Sequence, residues 1–234
     1  MSHAPRVVIA ASPMERLPAI VLAHSIKKHC PEAEIIHTWH RKDRPSRGLI
    51  KHGGKDPTNF SFVRFWVPAL LGYKDRAIYL DSDMLLLGDI SELFEMDMAD
   101  HWVLRTPDPS VLLIDCSRVF WDVHEMMHLA TQDPGFYGRN MHTLGGLPSD
   151  RVGQIPGFWN HRDMYEEGTT KLLHFTNMST QPWPNHLHEK IPDHQHGDLW
   201  FQALAETVQS GLLSADELPD TLREKIHAPA QDSA

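Results

Sequence analysis

The stretch Ala77-Ile78-Tyr79-Leu80-Asp81-Ser82-Asp83 decides the fold. An apolar run that ends on two carboxylates separated by one residue reads as a buried parallel strand, and open α/β sheets bind their ligands at the carboxyl ends of such strands. In extended backbone, residues i and i+2 point to one side, so Asp81 and Asp83 can reach one hard divalent cation, Mn2+ or Mg2+, through oxygen. The alternative is a strand ending in a turn, with Asp81 or Asp83 capping the element that follows.

Outward from this strand the chain reads as β-α-β. Residues 6–12 predict a first buried strand, residues 17–29 a helix with Lys27 and Lys28 at its end, Pro31 a stop, and residues 33–39 a second strand, hence a parallel pair with a right-handed crossover. Residues 41–57, rich in Lys, Arg, Gly and Pro, predict a surface loop that could close over a site. An aromatic-rich helix is expected over 60–71, with Pro68 near its end. Asp89 and Glu92 predict a capping box opening a helix through Phe94. A strand at 111–114, a helix over 117–129, an irregular stretch at 131–149, a strand at 171–175 and a helix over 197–210 follow. The expectation is one domain over residues 1–227, with a frayed tail from Ala228.

Three segments carry a resemblance. Residues 59–71 hold Arg64 on the predicted helix, the Asp81-Ser82-Asp83 strand follows, and Leu172-Leu173-His174-Phe175-Thr176-Asn177-Met178-Ser179-Thr180-Gln181-Pro182-Trp183 lies further on. Together they resemble the family-8 retaining glycosyltransferases, the group that includes glycogenin and the bacterial lipopolysaccharide galactosyltransferases. The resemblance implies a GT-A fold, an α/β architecture whose mixed, mostly parallel sheet is flanked by helices and binds a nucleotide sugar at the carboxyl ends of its strands. It also implies transfer of a hexose from a nucleoside diphosphate sugar, a UDP-sugar, to an acceptor. His174 would be the third metal ligand beside Asp81 and Asp83; read by itself, a lone histidine in an apolar strand is more often a core histidine, and the segment from Asn177 to Trp183 reverses that reading. Arg64 would face the diphosphate or donor sugar, Ala10 and Ser12 the base and ribose, and Ser82, Asn177 and Gln181 would complete the donor site.

The sequence departs from the family pattern at several of these places. Asn177 stands where the family has glycine, and Gln181 where it has a phosphate-binding lysine, so a hydrogen-bond donor replaces a charge. Asp108-Pro109-Ser110 takes the place of the family's Asn-Ser-Gly, and residues 136–141 contain no match to its Asp-Gln pair. Asp108, Asn140 and Asp150 remain the candidates to face the transferred sugar, and no nucleophile is assigned.

Composition narrows the alternatives. A chain of 234 residues with 41% apolar residues can bury a substantial core, and a formal charge of −9 argues against a general polyanion binder such as a nucleic-acid protein. Two cysteines give no disulfide framework or metal spacing. The first residues lack a signal-peptide pattern and no apolar run reaches the length of a membrane span, so a soluble, cytoplasmic enzyme is expected. Among 17 histidines, His186, His188, His194 and His196 could form a zinc site or simply a solvated loop. A sugar-phosphate nucleotidylyltransferase is the competing enzyme, although residues 10–17 contain no glycine for its phosphate loop. A catalytically silent sugar-nucleotide binding module is the non-enzymatic alternative.

Overall fold

The structure is a computed structural model and describes residues 4–43, 45, 60–133, 135–185 and 191–227. The tail from Ala228, most of the basic loop, and His186 and His188 lie outside the described residues.

Strand β1 (Arg6–Ala10) leads through helix α1 (Arg16–His29) to β2 (Glu34–His37), which pairs parallel to it. The α1 helix stops at Cys30, whose N–H bonds Ile26 O, because Pro31 cannot continue it. Helix α2 (Val63–Leu70) carries Pro68 in its last turn, and β3 (Arg76–Asp81) returns to the other side of β1, also parallel. Next come β4 (Met84–Leu86), α3 (Ile90–Phe94), β5 (Val103–Arg105), β6 (Val111–Asp115), α4 (Val123–Gln132) and α5 (Phe136–Thr143). The chain finishes with β7 (Val152–Gln154), β8 (His161–Arg162), β9 (Leu172–His174), α6 (Gly197–Gln209) and α7 (Asp220–His227).

The main sheet has the order β2-β1-β3-β6-β5-β7, with β6 alone running against its neighbours, and a second sheet has the order β4-β9-β8. Both faces of the main sheet are covered, which is why its strands read as unbroken apolar runs. Val7, Ile9, Ile78 and Leu80 pack on one side with Leu22 and Ile26 of α1, while Val8, Ala77 and Tyr79 pack on the other with Phe65 and Val67 of α2. A third cluster joins Leu85 of β4 and Leu173 of β9 to Trp200 and Leu204 of α6. No helix among the described residues is long and apolar enough to cross a membrane.

Three local readings are corrected. Asp89 does cap α3 by accepting from Ser91 N, but Glu92 does not complete a box; it pairs instead with Lys171 at 2.8 Å. The helix expected over 117–129 begins only at Val123, because Asp115 holds Ser117 in a turn and Asp122 caps Glu125 N. The stretch 131–149 is not irregular throughout. It contains α5, whose few apolar residues leave a weak period, and which ends where Leu144 adopts φ +48° and its carbonyl accepts from Trp121 Nε1.

Candidate functional site

The two sheets meet at Asp81-Ser82-Asp83. Asp81 ends β3 next to Ala10 of β1, and the chain passes through Ser82 and Asp83 directly into β4, where Met84 stands opposite His174 of β9. This antiparallel register, continued by Phe175 N–H to Asp83 O at 2.9 Å, sets the imidazole beside the two carboxylates. One ligand atom from each of Asp81, Asp83 and His174 lies within 4.8 Å of the others, the one such group of metal-binding side chains among the described residues.

The surroundings fix each donor. Asp81 Oδ1 accepts from Arg64 Nη2 at 3.2 Å and from the Tyr79 hydroxyl at 2.5 Å. Asp83 Oδ2 accepts from Gln181 Nε2 at 3.3 Å, and His174 Nε2 stands 3.1 Å from Asp83 Oδ1. Asp83 Oδ1 is buried, and while the His174 ring is neutral it has no hydrogen-bond donor among the described residues, an orphan that a cation would satisfy. The donor set of two carboxylates and one imidazole suits Mn2+ better than Ca2+. Burial drives the Asp81 carboxyl up from its usual range, and the charge of Asp83 adds to this against the pull of Arg64. The residues present therefore fit a divalent cation.

Several predicted donor-site residues are also held by contacts within the protein. Arg64 is buried, and its guanidinium bonds Ser61 O, Pro109 O and Asp81, so it ties Asp81 to the loop at Asp108. Ser12 is buried and engaged with Glu15 in a capping box, so its hydroxyl is already used. Ala10 is fully buried and offers only backbone. Ser82 Oγ is buried without a partner among the described residues, and Ser82, Asp83 and Gln181 line a narrow cavity with Met14, Phe60 and Trp183. Asn177 is exposed and closes its own turn with Ser179, whereas Gln181 is buried against Asp83. A larger cleft of about 720 Å³ lies at the opposite ends of the strands, but its Glu34 and Asp75 both pair with Arg6, and among the described residues it holds no cluster of metal-binding side chains.

Of the three sugar-facing candidates, only Asp108 comes to the cluster. Asp108 Oδ1 lies 3.2 Å from Asn160 Nδ2, and Oδ2 lies 3.5 Å from Arg162 Nε. Asn140 is removed from the site, its amide turned to Met126 Sδ in the contact between α4 and α5. Asp150 is exposed beside Arg151 and precedes β7, at the wrong end of the strand. His194 and His196 also have partners: His194 Nε2 faces Asp163 at 3.6 Å, and His196 Nε2 accepts from Tyr165 N.

Sequence reasoning missed Tyr79, Asn160 and Asp163. Tyr79 was accessible in principle, since it stands two residues before Asp81 on the same strand face. Asp163, at φ +51°, accepts from Thr176 N, Thr176 Oγ1 and Asn177 N and so ties the chain after β9 to the loop after β8. These bonds outweigh its burial and hold its carboxyl below the usual range. Asp163→Ala is expected to cost about 1–3 kcal/mol, the penalty for stranding such donors. Asp163→Asn, which tolerates the left-handed backbone and keeps an acceptor, should cost less, and urea denaturation of the two variants checks the order.

An α/β sheet with helices on both faces and an Asp-x-Asp cluster at the strand ends fits the GT-A architecture. The family model of glycosyl transferase family 8 matches residues 22–137, and together with the fold it supports a family-8 glycosyltransferase. That match includes Arg64, Asp81, Asp83 and Asp108 but stops short of His174, which joins the site through the β4–β9 pairing. Protein CDI of Arabidopsis thaliana is 27% identical over 243 residues, spanning 90% of each chain. The apo crystal structure of the glycosyltransferase GlyE of Streptococcus pneumoniae TIGR4 superposes with a TM-score of 0.62 at 17% identity, over 89% of this chain and 63% of that one. The galactosyltransferase LgtC, crystallised with donor and acceptor sugar analogues, superposes with a TM-score of 0.63 at 15% identity, over 94% of this chain and 99% of that one. At these identities the two structures show the shared fold.

Proposed function

We propose that this chain transfers a hexose from a UDP-sugar to an acceptor with retention of configuration, using Mn2+ held by Asp81, Asp83 and His174. The observation that carries the reading is the cluster itself, three ligand atoms within 4.8 Å at the end of β3, with Asp83 Oδ1 buried and lacking a donor while the His174 ring is neutral. A bound divalent cation supplies positive charge to the departing diphosphate, each unit charge pair at roughly 4 Å being worth about 4 kcal/mol at an effective dielectric of about 20. The side chains around it have complementary tasks. Arg64 and Tyr79 occupy Oδ1 of Asp81 and so leave its other oxygen for a ligand. Gln181 orients Asp83, and Asp108 stands beside the cluster, where a donor sugar or an acceptor hydroxyl would lie.

A UDP-sugar donor is what the family-8 resemblance implies. The nucleotidylyltransferase alternative finds no support in the β1 loop, where Ser12 and Glu15 cap a short 3-10 helix instead of forming a glycine-rich phosphate cradle. A reducing, cytoplasmic setting accords with Cys30 and Cys116, both buried and unpaired. The test is a thermal-shift panel of nucleotide sugars with and without Mn2+, followed by donor hydrolysis. A UDP-hexose should raise the melting temperature only with Mn2+, since ligand at 100 times its Kd adds about 2.7 kcal/mol of stability. Release of UDP then separates an enzyme from a silent binding module. A shift of equal size in excess chelator would overturn the metal-dependent reading.

Gln181→Lys gives an effect of opposite sign on two ligands. Gln181 Nε2 touches both Asp83 Oδ2 and Phe175 O, so an ammonium there competes with a cation for Asp83. Mn2+ alone should bind more weakly, while UDP in saturating Mn2+ should bind more tightly by about 1.5–3 kcal/mol, the range for a hydrogen bond to a charged group. Titration calorimetry of Mn2+ and of UDP reads both. UDP affinity unchanged at low salt would mean that position 181 does not face the diphosphate.

A further inference from the structure

We infer that Asn160 is a positioning residue that, with Asp108 behind it, turns the His174 lone pair toward the Asp81–Asp83 cluster. The inference rests on the metal-site reading above and assigns a role to a residue outside that ligand set. Asn160 is buried immediately before β8, and its amide joins the two halves of the site. On one side Nδ2 lies 3.3 Å from Thr106 Oγ1, 3.2 Å from Asp108 Oδ1 and 3.4 Å from Ser110 Oγ. On the other side Oδ1 lies 2.8 Å from His174 Nδ1.

An amide can be turned end for end, so its orientation must be deduced from its partners. Here the partners decide it. An ionised carboxylate only accepts, and rotating the amide would set the Asn160 carbonyl oxygen against Asp108 Oδ1. The NH2 group therefore faces Asp108, and the carbonyl faces His174. A carbonyl oxygen accepts, so His174 Nδ1 carries a proton. In the neutral ring the lone pair is then on Nε2, the nitrogen that stands beside Asp83. Asp108 thus acts on His174 through Asn160: the carboxylate orients the amide, and the amide fixes the imidazole. A histidine free to hold its single proton on Nε2 would present no lone pair to a cation and would have to change tautomer before binding one.

Two measurements test this, one without metal and one with Mn2+ as the only added ligand. In the metal-free protein, the His174 Nδ1 proton should be detected by nitrogen–proton NMR as a slowly exchanging signal, assigned with His174→Ala, and Asn160→Leu should abolish it. Asn160→Leu should also weaken Mn2+ by about 10–100-fold, the usual effect of losing a ligand's hydrogen-bond partner. The paired change Asn160→Asp with Asp108→Asn moves the carboxylate next to His174 and places an amide donor behind it. That pair should restore Mn2+ affinity to within a few-fold of the original, which a role in packing alone would not give. Unaltered Mn2+ affinity in Asn160→Leu, or a folded paired variant that stays as weak as Asn160→Leu, overturns the inference. If Asn160→Leu does not fold, the paired variant and the NMR signal of the unaltered protein still decide the matter. Failure of the unaltered protein to bind Mn2+ would strike the metal reading instead, while absence of the Nδ1 proton would strike this one.

Discussion

Asp83→Ala is expected to remove metal-dependent UDP binding, with Mn2+ affinity falling by more than about 100-fold, beyond the 10–100-fold seen when only a ligand's supporting partner is lost. The change strips a charged ligand whose Oδ1 faces His174 Nε2 and whose Oδ2 is held by Gln181. Titration calorimetry with Mn2+, then with UDP, reads the loss. UDP affinity equal to that of the unaltered protein would end the metal model. The same variant has a signature in the metal-free protein. Burial pulls the His174 imidazole down, but the charge and hydrogen bond of Asp83, with Asp81 and Asp108 beyond it, together raise it above its ordinary 6.5. A raised histidine stabilises the fold fully below 6.5 and loses that contribution as pH rises through its folded value. Metal-free protein should therefore melt at a lower temperature once pH rises past that value, and Asp83→Ala should flatten this dependence.

Arg64→Met is expected to destabilise the protein by about 3–5 kcal/mol, the cost of removing one partner from a buried ion pair. The guanidinium stays protonated in spite of burial beside the Asp81 carboxylate, and it lies 5.1 Å from the centre of the Tyr79 ring. Its loss leaves Asp81 buried beside Asp83 without a counter-charge and leaves Pro109 O and Ser61 O without their donor. Arg64→Lys keeps the charge but cannot span three acceptors, so it should fall between the two. Urea denaturation measures both. A loss in Arg64→Met below about 1 kcal/mol, the worth of an exposed pair, would mean that Arg64 does not brace Asp81. If Arg64→Lys instead left stability intact and weakened only UDP, the diphosphate-binding role that the family resemblance implies would stand in place of the brace.

Much of the fold was legible because its signals are local. The runs at Val7–Ala10 and Ala77–Leu80 have too many consecutive apolar residues for a sheet with one wet face, which forces a sheet covered on both sides. Pro31 and the Lys27-Lys28 pair mark the end of α1 without reference to anything distant. The weak points were short elements whose limits depend on tertiary partners. Helix α5 is fixed by the left-handed Leu144 and by Trp121 bonding its carbonyl, and the start of α4 by Asp115 restraining Ser117.

For the site, Asp81 and Asp83 were legible as a pair, since strand geometry puts i and i+2 on one side, and the family resemblance pointed to His174. What surrounds them depends on how distant segments pack. The reversal of β9 against β4 brings His174 to Asp83, the inward turn of Arg64 makes it a brace for Asp81, and the amide of Asn160 links Asp108 to the imidazole. That packing also separated Asp108 from Asn140 and Asp150, which composition and position could not rank. The physical reason is the range of the interactions. Backbone periodicity is written within a few consecutive residues, whereas a buried polar group must find its partner across the fold, and which partner it finds depends on strand register and loop path that no local pattern encodes.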